Sequence, residues 1–105
     1  MTEEAKNIGK EEFSELMFIQ YVSLLTNSGM QYLGKIMSPL TGKTEKNLEA
    51  AQGIIELLSM LKEKTKGNLS NTEEKVISDG IANLQLNYAD EVNRSEKEKE
   101  SGGKG

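Results

Sequence analysis

The residues most suggestive of chemistry are Gly42-Lys43-Thr44, because a phosphate-binding loop ends in Gly-Lys-Ser/Thr and opens a helix whose free amides hold the anion. The longer pattern is not met. Its first glycine would fall at position 37, which is Met37; no buried strand precedes it, and no second segment supplies a carboxylate for magnesium. What remains is a turn glycine followed by a helix cap, with Lys43, Thr44 and Lys46 forming a weak site for a phosphate or an acidic partner. Glu49, Glu56 and Glu63 recur every seventh residue, which on a helix separates neighbours by roughly 10 Å. That spacing suits a solvated face and not shared ligation of one ion. Lys62, Lys64 and Lys66 alternate along a helix end, where they offset its negative pole instead of forming a single basic patch.

The chain contains neither histidine nor cysteine, so an imidazole base, a thiol nucleophile and the soft metal ligands are all missing. Asp, Glu, Lys, Tyr, Ser and Thr remain, and no two are arranged as a nucleophile with its base. The expectation is a non-enzymatic protein with no cofactor and no metal. Seventeen acidic residues against thirteen basic ones give a net charge of -4, which argues against binding duplex DNA by releasing counterions from phosphates. The acidic start Met1-Thr2-Glu3-Glu4 is unlike a signal peptide, and the densest apolar stretch, Leu16 to Leu25, is about half a membrane span. A cytoplasmic location without membrane contact is expected.

At 105 residues the chain holds one domain, near the lower size for a self-sufficient core. The apolar periodicity predicts an all-α fold of three helices, at about 11–34, 45–66 and 71–94, with a flexible lead over 1–10 and a disordered charged tail over 95–105. Gly34 is a left-handed cap for the first helix, and Asn27-Ser28-Gly29 is a place where that helix could break. Thr44 is a candidate N-cap for the second helix, whose stripe is Leu48, Ala51, Ile54, Ile55, Leu58 and Leu61. Beside that stripe, Ala50 and Gly53 are small enough to admit another helix. The third helix opens with Ser70-Asn71-Thr72-Glu73, a capping box, and continues with the stripe Ile77, Ile81, Leu84, Tyr88 and Val92.

The first helix carries the strongest functional hint. Phe18, Val22, Leu25, Gly29, Tyr32 and Ile36 are spaced four and three residues apart in alternation, as in a coiled-coil seam. Phe13, Met17, Tyr21 and Leu24 flank it on one side and Ile19, Met30 and Leu33 on the other, so the apolar arc exceeds half the circumference. Gln20, Ser23, Asn27 and Gln31 form the polar wedge. Two further helices cover part of such an arc, and the surplus implies a partner. Self-association through the seam, giving a helical-bundle dimer, is the expected mode of action, with a different protein partner or a lipid as the other occupants and a central place in a single-chain bundle as the plainer alternative. An RNA- or ribosome-associated factor, or a carrier of a small apolar ligand, are the other functions compatible with the composition.

From Phe13-Ser14-Glu15 to about Asp90 the chain resembles a family of small bacterial proteins known only as a domain of unknown function. The resemblance rests on Thr41-Gly42-Lys43, Asn47-Leu48, Ala51, Ile55-Glu56-Leu57-Leu58, Met60-Leu61, Lys64-Thr65-Lys66-Gly67-Asn68-Leu69 and Leu84-x-Leu86-x-Tyr88. It implies an all-helical cytoplasmic protein and brings no assigned activity.

Overall fold

Helix α1 spans Lys10–Tyr32, α2 spans Leu48–Lys64 and α3 spans Asn71–Lys104 in a computed structural model of the chain. The backbone is described over residues 9–104 and the side chains over 9–98. Each helix packs against both of the others, and among the described residues the only β pairing is one isolated antiparallel bridge between Leu33 and Lys46. The core is wholly aliphatic: Val22 and Leu33 from α1 and its end, Ala51, Ile55 and Leu58 from α2, and Ile77, Ile81 and Leu84 from α3. A buried Val, Leu or Ile side chain contributes roughly 1.5–3 kcal/mol, so the seven that accompany Ala51 set a modest gain against the entropy of ordering a small chain.

α1 is continuous through Asn27-Ser28-Gly29. The glycine is there for packing, since a Cβ at Gly29 would lie 2.7 Å from Leu84 Cδ2 and 3.3 Å from Ile54 Cγ2. A second close approach joins α1 to α3 at Gly80, where a Cβ would stand 2.7 Å from the Thr26 hydroxyl. That hydroxyl donates back to the Val22 carbonyl at 2.8 Å, which fixes it against the crossing. Gly53, expected to admit a neighbouring helix, has nothing within 4 Å of where its Cβ would be. The close contacts are made by the glycines of α1 and α3 instead.

α1 stops at Tyr32 because Gly34 turns left-handed, with φ of 77°, and its N–H donates to the Gln31 carbonyl at 2.9 Å. α2 starts at Leu48, three residues later than the sequence suggests, and its cap is Asn47 rather than Thr44. The Asn47 side chain accepts from the Ala50 N–H at 3.0 Å, while its own N–H donates to the Tyr32 carbonyl at 2.7 Å. Residues bridged to the end of α1 in this way are extended and cannot join the helix. The capping box of α3 forms as expected: the Glu73 N–H donates to Ser70 Oγ at 3.1 Å and the Ser70 N–H to the Glu73 carboxylate at 2.7 Å.

Two terminal expectations meet the structure differently. α3 does not end near Arg94 but runs to Lys104, since the Glu and Lys residues after Ser95 are strong helix formers and no breaker precedes Gly102. The flexible lead lies outside the described residues except for Gly9, which is the N-cap of α1, and Lys10, which is already helical.

Candidate functional site

α1 presents two apolar faces on opposite sides. The inner one carries Phe18, Val22, Leu25, Gly29 and Leu33 into the core. The outer one carries Phe13, Leu16, Met17, Tyr21 and Leu24, each between 55% and 63% exposed. At about 100° per residue these five occupy an arc centred opposite Val22. Gln20, expected in a polar wedge, lies among them, and with Met17, Tyr21 and Leu24 lines a shallow open depression.

The seam read from the sequence is therefore a correction. Val22 and Gly29 are buried within the chain, and Phe18 and Leu25 pack half-buried beside them. Tyr32 and Ile36 are exposed, and Ile36 follows the turn at Gly34, so it is no longer on the same helix. Heptad spacing marks a face that packs on helices without saying whose. Here α2 and α3 of the same chain occupy it.

The second constellation is the loop from Leu33 to Asn47, whose two ends are held together by the Leu33–Lys46 bridge in the manner of an Ω-loop. Within it the Ser38 N–H donates to the Lys43 carbonyl and the Gly42 N–H to the Ser38 carbonyl, both at 2.9 Å. Gly42 sits at φ of 70°, so the Gly-Lys-Thr fragment is the turn of this loop. The hairpin-like tip leaves Leu40 95% exposed.

The base of the loop is fixed to α3 by charge. Glu91 is buried, and its two oxygens accept separately: Oε1 pairs with Lys46 at 2.8 Å and Oε2 with Lys35 at 2.8 Å. Lys35 also donates to Asp90 at 3.1 Å, and Arg94 approaches both acids at 3.7 Å. The two lysine hydrogen bonds hold the Glu91 carboxyl down to about 2, against the opposing effect of burial. The same contacts, Glu91 first and Asp90 next, raise Lys35 above its ordinary value.

This arrangement takes apart the weak anion site. Lys46 is committed to Glu91, while Lys43 and Thr44 are exposed on the loop and not at a helix start. The amide at the true start of α2 is taken by Asn47. Glu49, Glu56 and Glu63 are all exposed along α2. Glu91 itself escaped the sequence reading, yet it carried a signal: Ile77, Ile81, Leu84 and Tyr88 continue in heptad register to position 91, where an acid stands in place of an apolar residue.

Three helices around an aliphatic core, with a charge-fixed loop and one uncovered apolar face, define a small all-α domain without strands among the described residues. The chain belongs to the family described as Domain of unknown function (DUF1844), whose model matches residues 15–90. That span runs from the first turns of α1 through Asp90 on α3. No curated protein and no solved structure matches the chain. Among the described residues no helix is long and apolar enough to cross a membrane.

Proposed function

We propose that this is a non-enzymatic cytoplasmic protein that works through protein–protein contact, and first of all through association with a second copy of itself. The observation that carries the reading is the outer face of α1: Phe13, Leu16, Met17, Tyr21 and Leu24 are left to water although the chain has its own core. Single exposed apolar residues are ordinary, but five contiguous ones on one helix face are a docking surface. An aromatic side chain covers about 150–250 Å² and an aliphatic one somewhat less, so these five offer on the order of 500 Å² per copy. Two copies together bury about 1,000 Å², near the lower limit for a specific interface, which describes a weak and reversible dimer.

Sedimentation equilibrium tests the reading. The wild-type protein is expected to be largely dimeric at about 100 μM, since an interface of this size associates in the micromolar range. Leu24→Glu places a charge in the middle of the exposed face and should give a folded monomer with unchanged helical circular dichroism. Wild-type protein that stays monomeric at that concentration would overturn self-association.

A further inference from the structure

The outer face of α1 is spaced symmetrically along the helix. Phe13, Leu16, Met17, Gln20, Tyr21 and Leu24 stand three, one, three, one and three residues apart, steps that read the same in both directions along the helix. A two-fold axis matches a patch with itself, and for two helices running in opposite directions the pattern must survive reversal. This one does. Its single polar member is an amide, donor and acceptor at once, so two Gln20 side chains near the axis satisfy each other.

The charge distribution selects the same direction. Lys10, Glu11, Glu12 and Glu15 crowd the start of α1, and from Leu16 to Gly34 there is no charged residue at all. Parallel pairing would bring two acidic ends and two like helix poles within about 10 Å of each other. Antiparallel pairing sets each acidic end over the other copy's uncharged stretch from Val22 to Ser28. The acidic end together with the net charge of -4 also disfavours an anionic lipid surface as the occupant.

We propose, resting on the self-association reading above, that two copies pair antiparallel through α1 about a two-fold axis level with Phe18 and Ile19. Phe13 of one copy meets Leu24 of the other, Leu16 meets Tyr21, and Met17 meets Gln20. α2 and α3 of each copy lie on the far sides, so the dimer is layered, with its two α1 helices at the centre.

A distance measurement decides the direction. The chain has no cysteine, so Asn27→Cys carries a single spin label on an exposed position of α1 one turn beyond the end of the apolar stripe. With a rise of 1.5 Å per residue, antiparallel pairing separates the two labels by roughly 25–30 Å. Parallel pairing holds them about 10 Å apart, one interhelical distance. A dimer by sedimentation with the longer distance supports the proposal. A dimer with the shorter distance overturns the antiparallel register and leaves self-association standing, whereas a labelled and unlabelled protein that are both monomeric at about 100 μM overturn the two together.

Discussion

Glu91 is an acid where the stripe on α3 calls for an aliphatic residue, and its environment shows why the substitution is tolerated. Each of its oxygens has a lysine, and both lysines come from the loop that joins α1 to α2, so one buried carboxylate anchors a segment with little core of its own. Removing one partner of a buried pair leaves the others uncompensated, a loss of roughly 3–5 kcal/mol when all are buried. Because Lys35 and Lys46 keep part of their surface in water, Glu91→Gln should cost less, about 2 kcal/mol at pH 7. The pH dependence follows from the sign of the shift. A carboxylate lowered from 4.5 to about 2 stabilises the fold fully above pH 4.5, and that contribution disappears as pH falls toward 2. Glu45, Arg94 and Glu98 line the same cleft and Asp90 shares Lys35, in wild type and variant alike, so the informative quantity is the difference between the two proteins. Urea denaturation at stepped pH should show that difference at full size near neutrality and shrinking through this window. A difference that stays constant down to pH 2 would mean that Glu91 is not ionised in the folded chain.

At the scale of single elements, the start of α2 separates local signals from tertiary ones. Thr44 followed by Glu45 and Asn47 followed by Leu48 are both plausible caps by composition, and only the hydrogen bond from the Asn47 N–H to the end of α1 makes the second the real one. Asn47→Ala should therefore lower stability by about 1 kcal/mol, and Thr44→Ala should stay within about 0.5 kcal/mol of wild type. Thermal melts of the two variants side by side check this, and equal losses would return the cap to Thr44. The same contrast explains what was legible in the sequence. The three helices, the left-handed Gly34 and the Ser70–Glu73 box are encoded within a few residues, so periodicity and capping chemistry reveal them. The continuity of α1 is not local: Gly29 disfavours a helix by roughly 1 kcal/mol on its own, and contacts with Leu84 and Ile54, far away in sequence, outweigh that. The two faces of α1 posed the hardest case. Both are apolar, and nothing in residues 10–32 says which of them α2 and α3 will cover.

For the whole molecule, the assignment of those faces makes one comparison decisive. Val22 and Leu24 are two residues apart on α1 but on opposite sides of it, the first 1% and the second 63% exposed. A domain of this size is stable by only about 5–10 kcal/mol, and an unpaired charge forced into its aliphatic core costs several of those. Val22→Glu should consequently abolish the helical circular dichroism at every protein concentration, because no second copy can supply what the core has lost. Leu24→Glu should keep that signal and lose only the dimer. Dimerisation also adds to stability by mass action, so the wild-type melting temperature should rise with concentration and that of Leu24→Glu should not. The reverse outcome, a folded monomer from Val22→Glu and a dimer from Leu24→Glu, would exchange the two faces. It would place the heptad seam between chains and the Phe13–Leu24 stripe inside one.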